Sequence, residues 1–232
     1  MTQATISELQ QALNDRGFKP RHVSEVGVWH PQTSNVRGYI HQGIRATLVE
    51  PDPESAALIR QEFPADNLTL HQVAVFERNG ELELCKRAAS TFVKSLPSSP
   101  TLVNDRFEID DADTLVVQAR VFNEIDDGSI DLISIDVEGS EWYVLQNMLS
   151  RPTVISIETH GGLYTNPYLG EIRAWLDNNH YLIWYKDKSD SVYVRKDSIH
   201  ISLGDRLRLF LRNIHLALRR FRKRVKRLLQ KR

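Results

Sequence analysis

Residues 23–200 predict a doubly wound α/β domain on a mainly parallel sheet, and three observations carry that prediction. Short apolar runs alternate with amphipathic segments along the chain, the order produced when crossover helices link parallel strands. The run Ile130, Leu132, Ile133 and Ile135 is apolar on both sides of the pleat, as a strand covered on both faces should be. Near the end, Tyr181 to Tyr185 and Val192 to Arg195 flank a polar stretch from Lys186 to Asp190, which reads as an antiparallel hairpin closing the sheet.

The elements follow in order. Residues 1–22 form a lead-in in which Ile6, Leu9 and Leu13 share a helical face, with Ser7 or Thr5 at its start and Gly17 at its end. Val23 to Trp29 reads as the first strand and Thr47 to Val49 as the second, ending at Glu50. Ser55 to Phe63 is a helix that Pro64 stops. Leu68 to Val75 is a third strand, and Glu81 to Leu84 alternates after an Asn79-Gly80 turn. Residues 86–113 lack periodicity and carry Pro97 and Pro100, so they read either as a loop over the site that contacts substrate or as a variable insertion. Val116 to Val121, Ile130 to Ile135 and Val154 to Ile157 supply further strands, and Glu171 to Asn178 a helix with Ile172 and Trp175 on one face.

The strand Ile130–Ile135 runs into Asp136, Glu138 and Gly139, and then into a helical spacing of Trp142, Leu145 and Met148. Ligands of open α/β sheets bind outside the carboxyl ends of the strands, where these acids fall. Glu138 and Glu141 also suit a helix start, because carboxylates complement the dipole there. Asp136 directly follows the apolar run and is the stronger site candidate.

The 232 residues, 41% apolar, suit one such domain with an appendage. The single cysteine, Cys85, excludes an internal disulfide and a Cys-rich zinc site and agrees with a reducing compartment. The N-terminal stretch lacks the basic start and apolar core of a signal peptide, so a cytoplasmic protein is expected.

Charge is segregated. From Asp205 to the end stand twelve Lys and Arg against one Asp; with 30 residues of each sign overall, the body keeps eighteen basic and twenty-nine acidic. In the tail, Leu207, Phe210, Leu211, Ile214, Leu218, Phe221, Val225 and Leu228 recur at spacings of three and four. Residues 205–232 thus form a basic amphipathic helix suited to an anionic membrane surface. Docking on the acidic body or on a second copy is the alternative. Nucleic acid is disfavoured, since phosphate binding needs the charge but not the apolar stripe.

The string IDVEGSEWYVL at 135–145 resembles the signature of the FkbM-like methyltransferases. VSEVGV at 23–28, LVEPDPE at 48–54, HQVAVFERNGELEL at 71–84 and VISIETH at 154–160 match in the order that family requires. The resemblance implies a Rossmann-like methyltransferase fold of seven strands with a terminal antiparallel hairpin, S-adenosylmethionine as cofactor, and a hydroxyl of a carbohydrate or glycoconjugate as acceptor. It places the ribose on Glu50, the adenine beside Pro51 and the Val73-Ala74-Val75 segment, and the methionine portion near Gly27 and Asp136.

Glu50 stands 23 residues after Gly27, near the ~20-residue separation that two-strand geometry produces. Its carboxylate accepts from both hydroxyls of a diol. His160, two residues past Glu158, is the candidate general base, with His30 the second choice. Asp136 is placed with the catalytic residues. Asp136, Glu138, Glu158 and His160 are also the set that would gather around Mg²⁺, although nothing in their spacing requires an ion. Relatives carry Asp-Val-Gly-Ala-Asn where this chain has Glu25-Val26-Gly27-Val28-Trp29, then His30-Pro31. Bulk at Trp29 and the fixed φ of Pro31 restrict close approach of backbone to a ligand, which motivates a second reading as a non-catalytic binding or scaffold protein on the same fold.

Overall fold

The computed structural model describes residues 7–87, 90–105, 107, 109–110 and 113–229. In chain order the elements are α1 (Glu8–Asn14), β1 (His22–Val26), α2 (Arg37–His41), β2 (Arg45–Val49), α3 (Pro53–Glu62), β3 (Leu68–His71), β4 (Ala74–Val75), β5 (Gly80–Arg87), β6 (Ser90–Val93) and α4 (Pro100–Asp105). Then come β7 (Thr114–Arg120), β8 (Leu132–Ile135), α5 (Glu141–Gln146), β9 (Val154–Glu158), β10 (His160–Gly161), β11 (Tyr164–Thr165), α6 (Leu169–Asn178), β12 (Tyr181–Lys186), β13 (Asp190–Arg195) and α7 (Leu203–Leu229).

Seven strands form the main sheet in the order β12-β13-β9-β8-β1-β2-β3. β3, β2, β1, β8 and β9 are parallel, and β13 runs antiparallel to β9 and to β12. This is the doubly wound sheet with a terminal antiparallel hairpin, a Rossmann-like methyltransferase fold. Each strand feeds both faces because successive side chains alternate. Ile133 and Ile135 pack with Val144, Leu145, Ile172 and Leu176 of α5 and α6. Leu132, Val23 and Leu48 pack on the other face with Leu13, Ile40 and Ile59 of α1, α2 and α3. At the head of α1, the Ser7 hydroxyl accepts from the Gln10 N–H at 3.1 Å, a side-chain cap, while Thr5 and Ile6 lie outside the described residues.

Four expectations are corrected. The first strand ends at Val26 rather than Trp29, because Gly27 (φ +84°) and Trp29 (φ +53°) turn the chain into left-handed conformations. Leu68 to Val75 is not one strand: β3 stays in the main sheet, and β4 pairs with β7 instead. Residues 86–113 are not a structureless loop, since they hold the end of β5, β6 and α4; residues 88, 89, 106, 108, 111 and 112 lie outside the described residues. The strand read at Val116 to Val121 is β7, which belongs to a second sheet ordered β4-β7-β5-β6. In β7, Val117 and Ala119 are buried between exposed neighbours, and with Leu84, Val93 and Leu96 they make a small core of their own. One-sided alternation is the mark of a sheet with a single covered face.

Three parallel strands end level. The Gly27 N–H donates to Val49 O at 2.9 Å, the Asp136 N–H to Val26 O at 3.0 Å and the Glu50 N–H to His71 O at 3.1 Å. Gly27 makes this possible, because a Cβ there would lie 1.8 Å from the Asp136 carbonyl oxygen. Gly43 has a similar φ of +80° with nothing within 4 Å of an added Cβ. Gly43→Ala should therefore cost the ~1–2 kcal/mol of a left-handed L-residue. Gly27→Ala should lose a further ~1–3 kcal/mol from overlap. Urea denaturation of the two variants measures the difference.

Candidate active site

The level strand ends open onto a cavity of about 270 Å³. Gly27, Glu50, Pro51, Ala74 and Asp136, all singled out in the sequence, line it together. The second sheet supplies an opposing wall through Leu84, Thr91 and Val93, so the segment expected to sit over the site does contribute to it. Lys86 ties that wall to the start of α3, with its ammonium 2.9 Å from Asp52 Oδ1 and 2.6 Å from Glu54 Oε2. Val73, Ala74 and Val75 form an apolar flank.

Glu50 is buried and shapes the turn after β1. Its Oε2 accepts from the N–H groups of Val28 (3.1 Å) and Trp29 (2.7 Å), and its Oε1 from that of Asp52 (2.9 Å). A carboxylate has about four acceptor sites, so three backbone donors leave capacity for a ligand hydroxyl. Burial raises its pKa while these hydrogen bonds pull the other way. The turn carries Trp29, which packs edge-on against His30 with ring centroids 4.3 Å apart; Pro31 opens the 3-10 turn Pro31–Thr33. Glu25 reaches further than an aspartate and holds the next stretch: it accepts from the Ser34 hydroxyl and, at 3.0 Å, from the Asn35 N–H. Asn35 in turn donates to the Ser134 hydroxyl at 3.0 Å. Burial pushes the Glu25 carboxyl up to about 7.

Carboxyl groups gather at the end of β8. Oxygens of Asp136, Glu141 and Glu158 lie within 4.8 Å of one another. Asp136 is open to the cavity that it lines, and its pKa is raised by desolvation, then by the charges of Asp190, Glu138, Glu141 and Glu25. Glu141 is fully buried and braces the turn, accepting from the N–H groups of Val137 and Gly139, both at 3.1 Å, and from the Asn166 amide. That turn is strained at Glu138 (φ +54°) and relieved at Gly139 (φ +112°). Glu138 accepts from the Ser90 hydroxyl at 2.9 Å, which links it to β6. Desolvation pushes Glu138 and Glu141 up to about 7, and desolvation followed by the Asp136 charge raises Glu158. Glu138 Oε2, Glu158 Oε2 and the Tyr164 hydroxyl are buried with no protein partner.

His160 does not join this group. It lines a separate cavity against α7, and burial followed by the Lys186 charge pushes its ring down to about 4. Among the described residues, the acids that converge are Asp136, Glu141 and Glu158, rather than the set with Glu138 and His160. Asn35, Ser90, Tyr164 and Asn166 were not read from the sequence. No local spacing announces them, because each reaches the site from a distant part of the chain.

A doubly wound sheet whose level strand ends open onto a cavity ringed by carboxyls defines a nucleoside-cofactor enzyme of the methyltransferase class. The family model described as the methyltransferase FkbM domain matches residues 24–183, more than half of the chain, and the protein belongs to that family. It is an S-adenosylmethionine-dependent methyltransferase. No curated protein matches it. Among solved structures, the chain is similar to ribosomal protein L11 methylase from Lactobacillus delbrueckii subsp. bulgaricus, at 12% identity over 81% of this chain and 76% of that one, with a TM-score of 0.43. It is also similar to M. capricolum TrmK in complex with S-adenosylhomocysteine, at 13% identity over 86% and 73%, with a TM-score of 0.43. An O-methyltransferase from Bacillus cereus in complex with S-adenosylhomocysteine follows at 16% identity over 83% and 84%, with a TM-score of 0.38. At these scores nothing about this chain's chemistry follows from them.

The carboxyls in and around the site set a pH dependence. Glu25, Glu50, Asp136, Glu138, Glu141, Glu158 and Asp190 all have raised pKa values in the fold. The folded state then binds more protons than the unfolded one, and stability falls as pH rises from the ordinary glutamate value of 4.5 through about 7. The lowered values of His22, His71 and His160 act in the opposite sense, but three groups are set against seven. The urea midpoint should decline across this window, and Glu141→Gln should flatten the slope.

Proposed function

We propose that the protein transfers the methyl group of S-adenosylmethionine to a hydroxyl of a carbohydrate or glycoconjugate at the cytoplasmic face of a membrane. The observation that carries the transfer reading is the convergence of Gly27, Glu50, Pro51, Ala74 and Asp136 on one cavity. The cofactor supplies a methyl group already activated by a positive sulfur. Glu50 would take a ribose hydroxyl on its remaining acceptor site, and Pro51 with Val73–Val75 would border the adenine. The cationic methionine portion would lie toward Asp136, where the charges of Asp190, Glu138, Glu141 and Glu25 act together. Fit to this group is supported by the orphaned Glu138 oxygen, since Glu138 also lines the cavity.

An alcohol must lose its proton as the new O–CH₃ bond forms. Asp136 is the acceptor, because its raised pKa moves its proton affinity toward that of an effective general base near neutral pH. The remaining work is alignment of hydroxyl and methyl, which is worth most when the site is rigid; the Glu141 brace and the Lys86 clasp provide that rigidity. A polyol is favoured as acceptor because Asp136 and Glu138, which line the cavity, offer carboxylate oxygens to a ligand rich in hydroxyls.

Membrane contact is supported by α7. Phe210 is 60% and Phe221 65% exposed, and Leu207, Leu211, Leu218 and Leu228 lie on the same outward stripe. On the inward side, Arg212 donates to Asp187 O, Arg220 to Tyr164 O and Arg227 to the Val103 and Asn104 carbonyls. Arg208, Arg219, Arg222 and Lys226 are exposed beside the stripe, where anionic headgroups would meet them. No helix among the described residues is long and apolar enough to cross a membrane.

Three experiments test these readings. Asp136→Asn should lower the rate of methyl transfer to a glycan hydroxyl by ~10²-fold or more while calorimetry still detects S-adenosylhomocysteine; unchanged transfer would remove Asp136 from the chemistry. Glu50→Gln should weaken S-adenosylhomocysteine binding ~10-fold or more, the scale of a hydrogen bond to a charged group. Co-sedimentation with phosphatidylglycerol vesicles should be strong for the full chain and lost in Leu211→Glu/Leu218→Glu; equal sedimentation of both would end the membrane reading.

A further inference from the structure

A second cavity, of about 360 Å³, lies between the end of β9, the strand β12 and the inner face of α7. Arg173 from α6, Lys186 from β12, and Arg220 and Arg224 from α7 all line it. Four basic side chains from three elements face one space, and among the described residues none forms an ion pair within 4.0 Å with a carboxylate. Asp187 is the acid nearest in sequence to Lys186, and its Oδ1 is occupied by the N–H groups of Ser189 and Asp190. Cations held together without partners repel one another, an arrangement that an anion relieves.

The floor of this cavity is polar and ordered. His160 is 5% exposed, and its Nε2 is buried without a protein partner within 3.5 Å, while the backbone and carboxylate of Asp187 also act on the ring. Its Nδ1 is 3.0 Å from the Thr159 hydroxyl, which is 2.7 Å from the Ser191 hydroxyl. When Thr159 donates to Nδ1, the neutral ring carries its proton on Nε2, and that N–H is a donor for the cavity. Burial, together with the Arg173 and Arg220 charges, lowers the pKa of Lys186 as well, consistent with cations crowded in one place.

We propose that this cavity is a phosphate-binding site, taking a phosphoryl or pyrophosphoryl group on Lys186, Arg173 and Arg224 with His160 Nε2 as a neutral donor. Phosphate is favoured over a carboxylate because it offers more acceptor oxygens and up to two charges to several donors that approach from different directions. Arg220 fixes the wall through its bond to the Tyr164 carbonyl at 3.1 Å. The cavity adjoins the acid cluster through the backbone: Glu158 belongs to the cluster and His160 to the cavity, and two residues of chain span at most ~7 Å. In that position the site would hold a phosphorylated acceptor by its phosphate. That role rests on the methyl-transfer reading, whereas phosphate binding itself does not. The phosphate has two sources, a soluble sugar phosphate or the headgroup of an anionic lipid beneath α7.

The test is calorimetric titration of inorganic pyrophosphate into the full-length protein at fixed ionic strength, beside Arg173→Gln/Lys186→Gln and the single variant Arg224→Gln. Saturable binding is expected, at least tenfold weaker in the double variant and weaker in Arg224→Gln, with S-adenosylhomocysteine affinity unchanged in both. That unchanged affinity shows that the variants fold, and it separates a failure here from a failure of the methyltransferase reading. Loss of the bound pyrophosphate on adding phosphatidylglycerol vesicles, but not phosphatidylcholine vesicles, identifies a lipid headgroup as the occupant. Retention of pyrophosphate by vesicle-bound protein identifies a soluble phosphorylated compound. No saturable binding by protein that binds S-adenosylhomocysteine, or binding equal in wild type and double variant, overturns the proposal.

Discussion

The level ending of β1, β2 and β8 is the constraint on which the rest of the molecule depends. Parallel strands offer regularly spaced hydrogen-bonding groups, and here the pairing continues one residue past each strand, into Gly27, Glu50 and Asp136. That single register places a glycine, a buried acceptor and a cavity-facing acid side by side. It works because position 27 has no side chain to separate the chain from the Asp136 carbonyl. The turns that follow are then held by carboxylates whose acceptor oxygens meet backbone donors: Glu50 on Val28 and Trp29, Glu25 on Asn35, and Glu141 on Val137 and Gly139.

The same carboxylates create an electrostatic load. Each is stabilised by backbone donors, but the group as a whole lies in a medium that disfavours negative charge. The fold therefore holds protons more tightly than the unfolded chain does, and in the proposed reading a cationic cofactor entering beside Asp136 would take over part of their role. On the far side of β9 the sign reverses, where Lys186, Arg173 and Arg224 face a neutral histidine. The segment from Glu158 to His160 thus divides an acidic chamber from a basic one.

Much of this was legible in the sequence because it depends on local patterns. The apolar run to Ile135, the acid at Glu50 and the hairpin from Tyr181 each announce themselves by spacing or by adjacency to a strand. The second sheet was not legible. β4 is two residues long, β7 reads like any alternating strand, and their pairing depends on contacts between positions such as Ala74 and Ala119. His160 was read by its distance from a strand end, which fixes its height along the sheet but not the side toward which its ring turns. Nor could the sequence show which face of the tail meets the body: the stripe from Leu207 to Leu228 was plain, whereas the inward arginines became visible only once their carbonyl partners at Tyr164, Val103 and Asn104 were in place.

The placement of α7 has one more consequence. β12 is the outermost strand of the main sheet, and α7 packs against it. Outermost strands present unpaired N–H and C=O groups that recruit strands from other molecules, and Leu182 on β12 is exposed as well. The helix is clamped there from its first turn: Ser202 and Asp205 cap each other reciprocally, and Arg16 grips the Asp205 carboxylate at 2.7 Å. Whatever surface its outer stripe meets, α7 also shields this border of the sheet. A chain cut before residue 203 would leave β12 as an open template for strand addition and would be prone to assemble edge to edge.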